Sequence, residues 1–301
     1  MPLGTAHVTT TTAATFIPEI WSDEIIAAYK KNLVAANLVK KMNFKGKKGD
    51  SIHIPAPTRG SASVKSAQTQ VTLIAATESE VVVNIDKHYE YSRLIEDIVE
   101  AQALASLRQF YTDDAGYALA RQVDTDLVRL GRGVGGGDGT ANYTGAFSGA
   151  DGTTAYTGTA GALTDAAIRR SIQRLDDNDV PMDGRFLIVP PSTRNTLMGI
   201  ARFTEQAFVG ETGASNTIRN GEIGNVYGIP VFVTTNADTA TDGDRICLLA
   251  HKEFAVLVEQ MGVRSQTQYK QEYLGTLFTS DMLYGVKELR DGSAVALAVP
   301  A

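Results

Sequence analysis

The sequence predicts an α+β fold, and three observations carry that expectation. A single long apolar stripe marks one dominant helix, with Leu104, Leu107, Tyr111, Ala115, Leu119, Val123, Leu127 and Leu130 three or four residues apart. Strand-like segments cluster before and after it instead of alternating with helices, which excludes regular βαβ repeats. Eleven of the 28 glycines fall between Gly131 and Gly161 and divide the chain into two halves.

The elements follow in order. Residues 1–16 are rich in Thr and Ala without a helical or strand period, and read as a terminal arm. From Pro18 to Met42 the apolar positions recur near helical spacing, with Pro18 suited to a helix start. Ser51–Pro55 and Val81–Ile85 alternate as strands, and between them a polar stretch from Thr58 to Thr77 makes a long hairpin-like projection. The spine helix is expected within Tyr91–Leu130 and ends at Gly131 and Gly133. The glycine-rich segment has little to bury and reads as a loose flap. Thr164 is placed to cap a helix carrying Ile168, Ile172 and Leu175. The turn Asp176–Pro181 leads to the strand Arg185–Val189. Pro190 and Pro191 stop that strand, and Ser192 can cap a short helix through Met198. A stretch from Gln206 to Asn220 reads as mobile. Strands are expected at Gly224–Val233, Ile246–Leu249, Phe254–Val258 and Ala294–Val299.

Composition bounds the function. The 301 residues carry 28 basic and 34 acidic side chains, a net charge of −6, which argues against coating nucleic acid over the whole surface. No apolar run reaches the roughly 18–20 residues that span a bilayer, so no membrane is expected. Met1–His7 lacks the features of a secretory signal, so synthesis in the cytoplasm is expected. Cys247 is the single cysteine, which excludes an intrachain disulfide. Charge is uneven. Lys30, Lys31, Lys40, Lys41, Lys45, Lys47 and Lys48 fall in a stretch with no acid, leaving the remainder at about −13. That cluster reads either as a contact for phosphate or an acidic neighbour, or as a solvated helix face and basic turn.

No catalytic constellation emerges, and no cofactor is expected. The glycines from Gly131 to Gly136 follow a helix, whereas phosphate-cradling loops follow a strand and precede a helix. His7, His53, His88 and His251 are scattered; His53 and His88 could face each other across the hairpin, but a third zinc ligand is missing. Asp238, Asp242 and Asp244 lack the calcium-loop register and its trailing glutamate, and read as a turn. Cys247 lies inside an apolar strand, where a thiol is inert core. Asp113/Asp114 and Asp176/Asp177 are adjacent in sequence and do not converge.

Three segments carry a resemblance to a known family. Asn178-x-Val180-Pro181-x-x-Gly184-Arg185, Gly221-x-Ile223-Gly224-x-x-x-Gly228-x-x-Val231, and Tyr284–Lys287 with Asp291-Gly292 resemble motifs of the major capsid proteins of tailed bacteriophages, the HK97-like fold. The resemblance implies an N-terminal arm over 1–45 and an extended β-hairpin loop over 46–90. It implies a peripheral domain from 91–130 and 245–301, and an axial domain over 161–244, with the glycine-rich flap at 131–160 between them. It further implies a non-enzymatic shell subunit that assembles with itself into hexamers and pentamers, in the host bacterial cytoplasm. Partners would be portal and scaffolding or decoration proteins, and packaged double-stranded DNA. The lysine cluster becomes a candidate for inter-subunit or DNA contact, and Arg59 and Lys65 become candidate extended-loop contacts. Some members form lysine–asparagine crosslinks; Lys65 lies in the extended loop, but no asparagine or catalytic acid is identified and no crosslink is expected. An encapsulin-like compartment shell, and an enzyme or ligand-binding protein with a glycine-rich lid, are the alternatives.

Overall fold

A computed structural model describes residues 34–46, 48–57, 60–71, 73, 78–97, 106–200 and 224–301. Most of the expected arm, the mobile-looking stretch at 206–220, and Lys30, Lys31, Lys47 and Arg59 lie outside the described residues.

Two sheets and one long helix organise the subunit. The elements in the first half are α1 (Ala35–Leu38), β1 (Lys40–Asn43), β2 (Ser51–Pro57), β3 (Glu78–Asn84), β4 (Lys87–Glu96), α2 (Ser106–Arg129) and β5 (Phe147–Ser148). The second half holds α3 (Asp165–Asp177), β6 (Arg185–Val189), α4 (Pro191–Met198), β7 (Asn225–Val226), β8 (Ile229–Val233), β9 (Arg245–His251), β10 (Ala255–Lys270), β11 (Gly275–Glu288) and β12 (Ala294–Val299). One sheet runs β1-β10-β11-β4, the other β5-β12-β9-β6-β8-β7, and β2 pairs with β3 apart from both.

Along the expected stripe the spine α2 buries Ala115, Leu119, Val123 and Leu127, the last three in one core with Phe186, Leu248, Leu257 and Tyr284. The first residues of the range expected for it are not helical. Tyr91–Glu96 belongs to strand β4, paired antiparallel with β11 from Tyr284↔Lys87 to Gly275↔Glu96. Tyr89, Tyr91, Arg93 and Ile95 repeat every second residue, and pairing with β11 enforces that period over the helical one. The helix expected through Met42 likewise stops at Leu38. Val39 is extended (φ −100°, ψ 163°), and Lys40–Asn43 runs parallel to the edge of β10.

The hairpin forms as expected, with Ile52↔Val83 and Ile54↔Val81 in antiparallel register. Its base, not its tip, carries the packing: Val83 and Ile85 are buried against Val256 and Val258 of β10. Thr164 caps α3 by accepting the Ala167 N–H at 3.2 Å. Ser192 does not cap α4. Pro190 occupies the cap position, and the Ser192 hydroxyl donates to the Pro300 carbonyl at 3.3 Å. The strand expected at Phe254–Val258 extends to Lys270 as one arm of a long β10–β11 hairpin, whose polar outer half lacks an apolar alternation to announce it.

Two expectations about layout are corrected. The glycine-rich segment is not a loose flap: Tyr143, Ala146 and Tyr156 are buried with Ala240, Ile246, Ala296 and Ala298, and β5 pairs parallel with β12. Small residues make this possible, since a Cβ at Gly145 would collide with the Val134 carbonyl. The sheet also crosses the expected 244/245 boundary. β9 pairs with β6, and β12 with β9, so the strands at 245–251 and 294–299 share a sheet with β6 and β8.

Candidate assembly surfaces

The most exposed apolar side chains lie in the segment between β2 and β3. Val64 and Leu73 are 99% and 91% exposed, and Val71 is exposed beside them. Among the described residues this segment has no core of its own, and its bonds are local, such as Thr69 Oγ1 donating to the Ser66 carbonyl at 2.7 Å. A second exposed apolar group, Val263, Tyr269, Tyr273 and Leu274, lies on the outer part of the β10–β11 hairpin. Sequence reading missed this second group because the strands that carry it are mostly polar.

Among the described residues, Lys40, Lys41, Lys45, Lys48 and Lys65 are spread over different surfaces. Lys40 and Lys41 are neighbours on β1 and therefore point to opposite sides. Lys41 donates to Asn37 Oδ1 at 3.2 Å, and Lys45 Nζ lies 3.7 Å from Glu259. Lys48 and Lys65 are exposed, Lys65 within the tip segment. Lys40 lines a groove of ≈ 720 Å³ between the hairpin base and the 178–179 turn, with Ile54, Val81, Glu253 and Arg290. Its charges are mixed in sign.

Three buried polar junctions hold these surfaces in place. Asp124, fully buried on α2, accepts the backbone N–H groups of Val34 (3.0 Å) and Ala35 (2.7 Å) with one oxygen and Asn236 Nδ2 (2.8 Å) with the other. It ties the start of α1 to the spine and to the loop after β8. The second junction explains the Asn178–Arg185 motif: the buried Arg185 guanidinium donates to the Pro181 and Val180 carbonyls and to Asp176 at 2.7 Å, closing the turn that enters β6. Asp238 forms the third, accepting from Arg132 Nε (2.7 Å) and Nη2 (3.1 Å) and from the Tyr143 hydroxyl (2.7 Å).

Asp238 and Asp244, at the two ends of the 238–244 turn, thus both bind the glycine-rich segment. Asp244 accepts from the Tyr156 hydroxyl and the Ala160 N–H, both at 3.0 Å. Burial opposes ionisation of Asp238, but the Arg132 and Tyr143 hydrogen bonds outweigh it and hold the carboxyl below its usual range. A depressed folded value gives stability that is present above the unfolded value near 3.8 and lost as pH falls through the folded one. Asp238→Asn is expected to lower the unfolding midpoint at pH 7 and to flatten its decline below pH 4, read by thermal unfolding from pH 3 to 7. An unchanged acid limb would count against the assignment.

His53 and His88 do not meet. His53 Nδ1 lies 3.0 Å from Glu80 across the β2–β3 pair, and His88 Nε2 lies 3.2 Å from Asp281 on another sheet. His53 and His88 are on strands that belong to different sheets, so the hairpin cannot bring them face to face. Among the described residues no group of three or more His, Cys, Asp or Glu side chains could hold a metal ion. Burial pushes the Cys247 thiol up to about 12, as expected of an inert core thiol. No described helix is long and apolar enough to cross a membrane.

A family model described as phage capsid protein matches residues 81–295. No curated protein matches the sequence. Among solved structures, one from Mycobacterium phage Che8 is similar at TM-score 0.75 and 23% identity, over 94% of this chain and 97% of that one. The capsid structure of cyanophage P-SCSP1u is similar at TM-score 0.74 and 21% identity, over 99% and 96% of the two chains. The mature capsid of bacteriophage PhiM1 follows at 0.72 and 13%, over 99% and 97%.

Proposed function

Because the chain belongs to the phage capsid protein family, we propose that its copies close into hexamers and pentamers of a head shell around packaged double-stranded DNA. It is a major capsid protein of the virion with the HK97-like α+β fold, and its family is a structural one. The arrangement within the shell is our reading. Residues 1–45 act as an arm, and 46–90 as an extended loop that reaches over a neighbouring subunit. Residues 91–130 and 245–301 form the peripheral part, and residues 161–244, with the glycine-rich segment packed beside them, the axial part. Assembly takes place in the host cytoplasm with portal and scaffolding or decoration proteins.

One observation carries the reading. Among the described residues, Val64, Val71 and Leu73 stand in solvent on a projection with no core, a surface suited to burial by a second molecule. Burial of such side chains in a neighbour gives each contact about 1.5–3 kcal/mol, repeated over every subunit of a closed shell. Arg59 and Lys65 belong to the same projection and meet that neighbour with it. The lysines from Lys30 to Lys48 contact acidic surfaces of adjoining subunits in preference to DNA. Supporting this, Lys45 already faces Glu259, and a net charge of −6 disfavours adhesion to nucleic acid.

Expression of the full chain, followed by sedimentation and negative-stain electron microscopy, is expected to yield closed shells or capsomers. A monodisperse monomer across protein and salt concentrations would overturn the proposal.

A further inference from the structure

We propose that the Glu288 side chain is a pH-sensitive latch, which holds the glycine turn 133–137 against the end of β11 when protonated and releases it when charged. Glu288 is the last residue of β11, and its carboxylate lies directly beneath that turn: a Cβ at Gly133 would sit 2.8 Å from Oε2. Its Oε1 is buried and has no hydrogen-bond partner among the described residues. The amides that could have served it are already taken. Gly135 and Gly136, both left-handed at φ +71° and +74°, donate their N–H groups to Asp291 at 2.6 and 3.1 Å. This turn is a small anion cradle filled by one carboxylate, with a second wedged beside it.

The surroundings of Glu288 favour its neutral form. Its register partner on β10, Ala255, is uncharged, and Gly133 brings no side chain from the turn. The charged groups acting on it are Asp291, which follows in the 3₁₀ turn Asp291–Ser293, and Lys287 on its own strand. Burial first, and then the Asp291 charge, push the Glu288 carboxyl up to about 7 against the opposing pull of Lys287. With the turn open, the group returns to its ordinary value near 4.5. The closed turn therefore retains a proton that the open one releases, and closure weakens as pH rises through this interval, levelling off above 7. Ionisation places an unpartnered charge beside Asp291 and works against the cradle that Asp291 completes.

The latch joins the two sheets. Its strand belongs to β1-β10-β11-β4, while the turn leads from the spine into β5 at the edge of the other sheet. The inference concerns the subunit itself and stands independently of how subunits are arranged in a shell.

Hydrogen exchange of the full-length protein at pH 6 and pH 8 tests it, with protection of residues 133–137 corrected for the intrinsic rate. Protection of the wild-type turn is expected to fall about tenfold between the two pH values, while β6 and β9 are unchanged. In Glu288→Gln the turn is expected to keep its pH 6 protection at pH 8. Constant protection of the wild-type turn, which requires no variant, would overturn the proposal, as would a wild-type pH response in Glu288→Gln.

Discussion

Replacing residues 58–77 by a two-residue Asn-Gly turn is expected to abolish particle formation and to leave a folded subunit. The pairing of β2 with β3 runs from Ser51↔Asn84 to Pro57↔Glu78, so the cut falls just beyond the last pair and a tight hairpin turn can close it. Everything that anchors the hairpin lies below the cut: Val83 and Ile85, buried against Val256 and Val258 with Ile52, Ile54 and Leu283 packed around them. Above it, Val64, Val71 and Leu73 are exposed and contribute nothing to the isolated subunit. The unfolding midpoint is expected to stay within a few degrees of wild type, while sedimentation shows no species larger than a capsomer. Particles at wild-type yield would sink the extended-loop assignment. Loss of the folded subunit would show that the tip packs where it now stands exposed.

Asp124→Leu is expected to destabilise the subunit by about 3–5 kcal/mol, because it leaves the Val34 and Ala35 amides buried without an acceptor and takes from Asn236 Nδ2 one of its two acceptors, the other being Thr125 Oγ1. Leucine keeps the branched shape of aspartate but is larger, so no cavity opens and the loss combines missing hydrogen bonds with overpacking. Asp124→Asn retains one acceptor oxygen and should recover part of that loss, in denaturant unfolding with unchanged slope. Limited proteolysis should cut Asp124→Leu ahead of residue 40 faster than wild type. Equal cleavage rates in the two proteins would separate Asp124 from the path of the N-terminal segment.

The elements legible in the sequence are those whose period survives burial. The α2 stripe, the Thr164 cap, the strand Arg185–Val189 and the closing strand Ala294–Val299 all appear where their residues place them. What was not legible depends on a partner far along the chain. Tyr91–Glu96 continues a helical-looking run, yet β11, nearly two hundred residues later, makes it a strand. The outer half of β10 reads Arg-Ser-Gln-Thr-Gln, polar on both faces, and is a strand through its pairing with β11. The glycine-rich segment looked too poor in apolar residues to fold. Its two buried tyrosines each find an aspartate across the chain, Tyr143 with Asp238 and Tyr156 with Asp244, a pairing without local signature. The assembly surfaces were half visible: the polar tip announced itself by length, whereas Val263, Tyr269, Tyr273 and Leu274 did not.

The position of β12 has a consequence for the order of folding. Residues 294–299, all buried, are inserted between β5 and β9, so the six-stranded sheet cannot close without a strand far along the chain from β5 and β6. Until β12 docks, β9 presents an open edge and the glycine-rich segment lacks Ala296 and Ala298, against which Tyr143 and Tyr156 pack. The glycine-rich segment and this sheet therefore reach their final packing in one step, and neither can be completed ahead of the other.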